Sequence, residues 1–498
     1  MSLRKTRKNF WGWLGFWFFC AVTVLPVSPA DGAKPEKKPA QRTKPSTWSE
    51  HLRNMQASCG DLSVQVTALP SGSVLWEFQA HKPLVPASLM KLLTSYAALK
   101  KLGPDFQFRT EVWADRKPVQ GVLSGNLWIK GYGDPFLVPE RVWVLGQKVR
   151  SQGIEKVMGG IYVDDSAFNP PYEHLCLDNK CDRPHNPVIS ATAVNNNTVN
   201  VEILPGGDEV TAKDIRTFPP TDYVAFRQEW QNQAKNPWVG LTSLGIGDDG
   251  REVFRVHGKK PGEAFLPAEY RMNIQDPQRF AALTFRRALK DAGIQIQGTD
   301  AGPRPLPPQA FLLYRLESPP LSDVLYGLNR YSNNFMAEMI LRVLGAHVYG
   351  PPGSLTKGCR AVEDVLLELG VPAVEMTLDS GSGLTRTTRV SAAAFNTVLT
   401  AAHRDWDVGP EFLASFARSG EEGTLRKRMK SCSSQYTVRG KTGTLRDVVG
   451  FSGYIGDLTG KAYAVTVIMN GVSGPWDARE ALDAFVTDIP RLAAAKGP

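Results

Sequence analysis

The chain has few of the side chains from which metal and redox sites are built. Its 498 residues include only six cysteines and seven histidines, and no Cys-x-x-Cys pair occurs. The histidines are scattered without the short spacings of metal ligands. A zinc site and a thiol redox centre are therefore not indicated, and we expect the protein to work without a metal or other cofactor.

A basic surface of the kind that binds nucleic acid is also missing, although the formal net charge is +9. Residues 1–45 contain nine lysines and arginines against two acids, so most of that charge lies in this segment. The rest of the chain is close to neutral and has no basic stripe with interleaved aromatic residues. We therefore expect no nucleic-acid partner.

The same N-terminal segment has the layout of a secretory signal peptide. A basic run at residues 4–8 precedes an apolar run at 10–27, and residues 28–30 supply small side chains for cleavage. We expect residues 1–30 to be a signal peptide that exports the protein to the periplasm, and residues 31–45 to be a Lys/Pro-rich linker. The alternative is an uncleaved anchor, which would leave the protein weakly associated with the membrane.

Export would place the remaining five cysteines in an oxidising compartment, where some of them would form disulfides. Cys176 and Cys181 are close in sequence and are the pair that we expect first. Cys359 with Cys432 is a second candidate pair, and Cys59 is left over.

The stretch from residue 85 to residue 103 places a serine and a lysine three residues apart at the start of a predicted helix. Ser88 and Lys91 then lie on the same side of that helix, where the amine can reach the hydroxyl. A lysine activates a serine if burial or a second cation keeps the amine neutral. The free N–H groups at a helix start would face whatever the serine attacks. Taken alone, the pair also fits a capping serine beside a solvent-exposed lysine.

Two short motifs in the second half of the chain favour the catalytic interpretation. Ser332-Asn333-Asn334 opens a predicted helix, and Lys441-Thr442-Gly443-Thr444 lies on a predicted strand. Each motif alone has an ordinary explanation, a helix cap or a strand-end turn. The three motifs in this order, each on its expected element, are typical of penicillin-binding proteins and class A β-lactamases.

With these motifs the chain resembles the low-molecular-mass class C penicillin-binding proteins, the D-alanyl-D-alanine carboxypeptidase/endopeptidases of serine peptidase family S13. The resemblance extends over most of residues 46–490 and includes segments 102–106, 133–135 and 378–386. Between Ser88 and Ser332 lie far more residues than the short helical segment that a class A β-lactamase needs there. Segments 133–135 and 379–383 are interpreted as a turn and as a loop beside the site.

The resemblance implies an α/β (α+β) fold of the serine β-lactamase/DD-peptidase transpeptidase type. Helical and strand patterns indicate one domain made of residues 46–105 and 315–498. Residues 106–314 read as a large, mostly β insertion between the first and second motifs, with a possible small nested module at about 205–267.

For the catalytic residues, the resemblance implies the following roles. Ser88 attacks the carbonyl between two D-alanines of a peptidoglycan stem peptide, and Lys91 is its general base, kept neutral with the help of Lys441. Ser332 relays a proton to the leaving amine. Asn334 holds Lys91 and the substrate amide.

For substrate binding, the resemblance implies that Lys441 and Thr442 bind the terminal carboxylate. Gly443 leaves room for the substrate along the strand, and the backbone N–H groups of Ser88 and Thr444 form the oxyanion hole. β-Lactam antibiotics are the implied covalent inhibitors. A Trp/Pro-rich loop with an acidic residue, found in some family members, is not recognisable at residues 170–181, so the sequence does not predict side-chain specificity.

Two other functions compete with a DD-peptidase. A β-lactamase needs a base that activates the deacylating water, and no Glu-x-x-Leu-Asn motif occurs in the chain. A non-catalytic cell-wall binding protein would not need both the nucleophile and its base.

Overall fold

The computed structural model of the protein describes residues 47–204, 214–231, 238–259, 268–430, 436–457 and 459–495. The predicted signal peptide and linker, Cys432 and parts of the possible nested module at about 205–267 lie outside these ranges.

The helices form where apolar residues recur at helical spacing. Several begin at a side chain that accepts a hydrogen bond from the first turn: Thr47, Asp276, Asn333, Ser354 and Ser391. The helices are α1 (Trp48–Gln56), α2 (Met90–Leu102), α3 (Pro139–Ser151), α4 (Pro277–Asp291), α5 (Leu321–Tyr331), α6 (Asn334–Tyr349), α7 (Leu355–Glu368), α8 (Ala392–Arg404), α9 (Gly409–Ala414) and α10 (Pro475–Ala494). Within the described ranges, none of these helices is both long and apolar enough to span a bilayer.

The strands fall into two groups, at the two ends of the chain and in its middle. Those at the ends are β1 (Asp61–Leu69), β2 (Val74–Phe78), β19 (Met376–Thr377), β20 (Arg389–Val390), β21 (Ala417–Arg418), β22 (Tyr436–Leu445), β23 (Val448–Asp457) and β24 (Ala462–Asn470). Those in the middle are β3 (Gln107–Ala114), β4 (Val122–Leu123), β5 (Leu127–Gly131), β6 (Lys156–Val157), β7 (Ile161–Asp164), β8 (Tyr172–His174), β9 (Val188–Ser190), β10 (Thr198–Ile203), β11 (Ile215–Phe218), β12 (Val224–Gln231), β13 (Trp238–Ile246), β14 (Glu252–Lys259), β15 (Ala268–Asn273), β16 (Gln295–Ile296), β17 (Ala301–Pro303) and β18 (Phe311–Pro320).

A six-stranded sheet joins the two ends of the described chain. Its order is β2-β1-β24-β23-β22-β21, and all neighbours are antiparallel. Successive side chains of a strand point to opposite faces. On β24, Val465 and Val467 pack toward α1 and α10, whereas Ala464 and Ile468 pack toward α2 and α8. The sheet is therefore covered by helices on both faces, which confirms the predicted mixed α/β architecture.

The region between β3 and β18 has a hydrophobic core of its own. Its buried members run from Val112 to Leu316 and include residues of α3 and α4. A five-stranded sheet of order β17-β7-β5-β3-β18 forms its base. The chain enters along β3 and leaves along β18, and these two strands pair with each other.

We propose that this region is the inserted domain, as expected for residues 106–314. The pairing of β3 with β18 moves its C-terminal boundary to Pro320, because a cut at residue 314 would divide β18. Strands β12, β13 and β14 form a separate three-stranded sheet, which matches the position of the predicted nested module. Phe254 and Val256 of β14 nevertheless belong to the core of the whole insertion, so this sheet does not have a core of its own.

Candidate active site

Ser88 lies in a short 3-10 turn, Ala87–Leu89, which leads directly into α2. The predicted helix therefore begins at Met90, two residues after the serine. Ala87 adopts φ = 50°, a left-handed conformation that side chains other than glycine rarely adopt. Gly383 lies against this turn, where an added Cβ would fall 1.9 Å from the Ala87 carbonyl oxygen. Close packing thus holds Ser88 half-buried at the start of α2.

Lys91 occupies the first turn of α2 and is fully buried. Its Nζ lies 2.9 Å from Ser88 Oγ, 2.6 Å from Asn334 Oδ1 and 2.8 Å from the Ser382 carbonyl oxygen. Burial, and secondarily the charge of Lys441, hold the pKa of Lys91 well below its usual value. The effect expected of Lys441 is present, but burial is the larger cause. A lowered pKa favours the neutral amine, which can accept a proton from the neighbouring serine hydroxyl.

The second motif lies between two helices. Ser332 ends α5 in a left-handed conformation, and Asn333 caps α6 by accepting a hydrogen bond from the Met336 N–H. Because Asn333 does the capping, its two neighbours are free to point elsewhere. Ser332 Oγ lies 2.8 Å from Lys441 Nζ, and Asn334 donates through Nδ2 to the His185 carbonyl at 2.6 Å.

The third motif lies on β22, beneath the Ser88 turn. Lys441 is fully buried, and its Nζ donates to Ser332 Oγ and to the Thr442 carbonyl. Burial lowers the pKa of Lys441 to about 7. Gly443 pairs with Gly450 of β23, and both glycines face the turn.

The role expected for Gly443 needs correction. A Cβ at this position would lie 2.6 Å from the Pro86 carbonyl oxygen and 3.1 Å from a side-chain carbon of Leu89. The room that the glycine leaves is therefore occupied by the Ser88 turn, not kept for a substrate. Gly443 allows the turn to sit directly on β22.

Replacement of Gly443 by alanine is expected to separate the Ser88 turn from β22. A displacement of about 1 Å at a reacting group typically costs about 100-fold in rate, so acylation by a fluorescent penicillin should slow by about that factor. The matched control is Gly456→Ala on β23, where an added Cβ would meet nothing closer than 3.8 Å. Equal acylation rates for the two variants would contradict this explanation.

A cleft of about 460 Å³ opens at Ser88. Of the predicted site residues, Ser88, Asn334 and Thr444 line it directly. The other lining residues are Leu177, Asp178, Lys180, His185, Asn186, Gly383, Leu384, Leu445 and Arg446.

The insertion forms one wall of this cleft. The sequence did not predict this contribution to the site. The predicted Cys176–Cys181 disulfide is present, and it closes the loop that carries Leu177, Asp178 and Lys180. The second predicted pair includes Cys432, outside the described ranges; Cys359 is a free, buried cysteine.

Two asparagines brace this wall. The Asn186 side chain accepts from the Leu177 N–H and donates to the carbonyls of Leu177 and Lys180. Asn273 donates to the carbonyls of Cys181, Arg183 and Asn186. The wall is therefore a braced structure that reaches the second motif through the His185 carbonyl.

The two segments interpreted as a turn and as a loop beside the site make different contacts. Asp134 accepts a hydrogen bond from the Phe136 N–H, as in an Asx turn. Segment 379–383 is a loop, as expected, but it contributes the Ser382 carbonyl to Lys91. Across the described ranges, no group of three or more His, Cys, Asp or Glu side chains is arranged to hold a metal ion.

The chain is similar to known proteins over most of its length. The sequence model of the D-Ala-D-Ala carboxypeptidase 3 (S13) family matches residues 48–489. A D-alanyl-D-alanine carboxypeptidase from Actinomadura sp. (strain R39) is 31% identical over 432 residues, which cover 83% of this chain and 78% of that protein. The D-alanyl-D-alanine carboxypeptidase DacB of Haemophilus influenzae is 27% identical over 406 residues, covering 80% and 83% of the two chains.

Among solved structures, penicillin binding protein 4 from Haemophilus influenzae superposes with a TM-score of 0.69. Its sequence identity is 23%, and the match covers 89% of this chain and 98% of that one. A second structure of that protein contains a β-lactam. At this identity the likeness establishes the fold.

Proposed function

The chain belongs to the D-Ala-D-Ala carboxypeptidase 3 (S13) family of serine peptidases, and on this premise we propose that it hydrolyses the D-Ala-D-Ala bond of peptidoglycan stem peptides. The observation that carries the proposal is the buried Lys91 amine at 2.9 Å from Ser88 Oγ, at the edge of an open cleft. A buried base beside a reachable hydroxyl is the arrangement that nucleophilic catalysis needs.

In the first half of the reaction, Lys91 Nζ takes the proton of the Ser88 hydroxyl while Oγ attacks the carbonyl carbon. The C–N bond then breaks, and D-alanine leaves as an amine after receiving a proton relayed by Ser332. The product is an ester between Ser88 and the shortened peptide. Water hydrolyses this acyl-enzyme in the second half and restores the serine.

Asn334 would orient both partners of the reaction, because Oδ1 holds the Lys91 amine and the side chain lines the cleft. The backbone N–H groups of Ser88 and Thr444 would form the oxyanion hole. Both residues line the cleft, so a carbonyl bound there meets them from two sides.

Lys441 would supply positive charge for the terminal carboxylate, together with the Thr442 hydroxyl. Because the ammonium is fully buried against Ser332 Oγ, its charge would act on a carboxylate lying beside that hydroxyl. Charge-assisted contacts of this kind are stronger than neutral ones.

Lys441 makes substrate affinity depend on pH. Its pKa of about 7 means that the free enzyme loses the cation as the pH rises above neutrality. The KM for a pentapeptide should therefore rise above pH 7, and Lys441→Met should raise KM by about 10–100-fold at lower pH, the usual value of a hydrogen bond to a charged group.

A pentapeptide with an amidated C-terminus provides the control for this prediction, because it carries no carboxylate. Its KM should be insensitive both to pH near 7 and to Lys441→Met. If the two peptides respond alike to the substitution, Lys441 does not bind the carboxylate.

We also propose cleavage of D-alanyl cross-links between stem peptides, covalent inhibition by β-lactams and export to the periplasm. The braced cleft beside Ser88 would accommodate either peptide substrate. The Cys176–Cys181 bridge supports export, because such bonds form in oxidising compartments. If the N-terminal segment is retained, it would add a weak attachment to the membrane.

The test compares three products of the purified protein. Release of D-alanine from a pentapeptide supports carboxypeptidase activity, and cleavage of cross-linked dimers supports endopeptidase activity. Fast release of hydrolysed penicillin would identify a β-lactamase instead. Reversible peptide binding without any product would identify a cell-wall binding protein and overturn the proposal.

A further inference from the structure

The direction of the Lys91 lone pair is set by two oxygen atoms. A neutral amine has two N–H donors and one lone pair. Asn334 Oδ1 and the Ser382 carbonyl oxygen accept hydrogen bonds and cannot donate, so they take both N–H groups, at 2.6 Å and 2.8 Å. The lone pair is then left facing the Ser88 hydroxyl. Lys91 can work as a base in this geometry only while both acceptors stay in place.

The position of the Ser382 carbonyl depends on a buried carboxylate, Glu338. This residue follows Asn334 by one turn of α6 and is 1% exposed. Its Oε1 accepts hydrogen bonds from four groups of the loop that contains Ser382. The donors are Ser380 Oγ at 2.7 Å, Gly381 N at 3.0 Å, Ser382 N at 2.9 Å and Ser382 Oγ at 2.8 Å.

The loop is also tied to α2 itself. Thr94 lies three residues after Lys91 on that helix, and its hydroxyl donates to the Gly381 carbonyl at 2.8 Å. Glu338 and Thr94 therefore hold the loop from two helices, directly beside the carbonyl that faces Lys91.

Arg342 keeps Glu338 ionised in its buried position. Its Nη1 lies 3.1 Å from Glu338 Oε2, and Nη2 donates to Glu173 of β8, in the insertion. Burial alone would raise the pKa of Glu338, but Arg342 and the donors of Ser380 and Ser382 outweigh it and hold that pKa below its usual range. A buried carboxylate with this many partners is a fixed anchor.

We propose that Glu338 is a positioning residue for the general base: it fixes the Ser382 carbonyl, and through that carbonyl it aims the Lys91 lone pair at Ser88. The inference rests on the proposed function, since it assigns how the base of that reaction is oriented. Glu338 does not line the cleft and touches no reacting atom.

Glu338 has a second effect on Lys91, which can be separated from the first. The charged groups that face Lys91 are Lys441 on β22 and Glu338 on α6, and the negative charge of Glu338 works against burial and Lys441 by raising the pKa of Lys91. Removing that charge lowers this pKa further. Displacing the carboxylate without removing its charge disturbs only the position of the loop.

The test measures the rate of acylation by a fluorescent penicillin as a function of pH, with the wild type and two variants. In Glu338→Asp the charge is kept but the carboxylate is one methylene too short for the loop. We expect its acylation rate on the pH-independent plateau to fall by about 10–100-fold. The acid limb of the profile, where the rate falls because Lys91 becomes protonated, should stay at the same pH. Glu338→Gln should lower the plateau and also move the acid limb to lower pH, because the anion is gone.

The matched control is Glu252→Gln. Glu252 is a buried glutamate in the insertion that accepts hydrogen bonds from Tyr223 and Ser243. Its replacement should lower thermal stability and leave the acylation rate and its pH profile unchanged. Should either Glu338 variant fail to fold, Ser382→Ala removes a single donor to Glu338 Oε1 and should slow acylation by about 3–10-fold.

If folded Glu338 variants show the same plateau rate of acylation and the same acid limb as the wild type, the inference is overturned. This holds even if those variants melt at lower temperature. That outcome leaves the proposed function standing, because the wild type is still acylated. If the wild type itself forms no adduct, the proposed function fails first and the role of Glu338 with it.

Discussion

Replacement of Ser88 by alanine is expected to reduce the release of D-alanine from a pentapeptide by about 10⁵-fold or more. The variant lacks the hydroxyl that Lys91 would activate in the proposed reaction, so no acyl-enzyme should form. The cleft loses a single oxygen atom, so the peptide should still bind with an affinity within a few-fold of the wild type. The loss should therefore appear in kcat, with the dissociation constant of the peptide almost unchanged.

Ser95→Ala is the matched control for this substitution. Ser95 lies within α2, is fully buried and accepts a hydrogen bond from Asn329. Its replacement should cost about 1 kcal/mol of stability and keep the catalytic rate within a few-fold. More than one per cent of wild-type activity in Ser88→Ala would contradict the assignment of the nucleophile.

Replacement of Lys91 by methionine is expected to slow acylation by about 10²–10⁴-fold, the range for loss of a general base. Methionine fills a similar volume but can accept no proton at neutral pH. The nucleophile remains, so a slow residual reaction at Ser88 is expected, unlike in Ser88→Ala. Lys101→Met, on the same helix but partly exposed and paired with Glu368, should leave the rate unchanged.

The same variant should change how stability depends on pH. The pKa of Lys91 is lowered in the folded state, so the unfolded chain binds one more proton than the folded chain at pH values between the folded and unfolded pKa. Stability of the wild type therefore rises with pH in that interval, by about 1.4 kcal/mol per pH unit from this group. Lys91→Met lacks this contribution.

Chemical unfolding of the two proteins at pH 7 and pH 9 measures this difference. The wild type should gain stability relative to the variant as the pH rises over this interval, by up to about 1.4 kcal/mol per pH unit. Parallel pH dependences would show that Lys91 is protonated in the folded protein at pH 7 and cannot be the base.

The parts of the site that follow from local geometry could be predicted from the sequence. Ser88 and Lys91 meet because residues three apart share a helix side, although the helix itself begins only at Met90. Strands with clear alternation, such as β2 (Val74–Phe78), are also predictable from the local sequence. Such elements are decided within a few residues of the chain.

The Ser-x-Asn motif shows where local reasoning stops. Ser332, Asn333 and Asn334 are all residue types that cap helices, so the sequence left open which one does so. In the structure the middle residue caps α6, and the outer two contact Lys441 and Lys91. The choice depends on partners more than 100 residues away.

Contacts between distant segments could not be predicted. The disulfide was expected, but its position at the cleft depends on how the insertion packs against α6. The role of Gly443 likewise depends on the Ser88 turn above it. Glu338 and Arg342 did leave a signal in the sequence, because these two charged residues, four apart, interrupt the apolar run of a predicted helix. In the structure the residues of this helix from Phe335 to Gly345 are all buried.

The most direct test of the account is the intact mass of the protein after incubation with benzylpenicillin, followed by peptide mapping. We predict a mass increase of one drug molecule per chain, located on the peptide that contains Ser88. The increase should be absent in Ser88→Ala and present in Ser95→Ala. A wild-type protein without an adduct, or an adduct on any other residue, would contradict it.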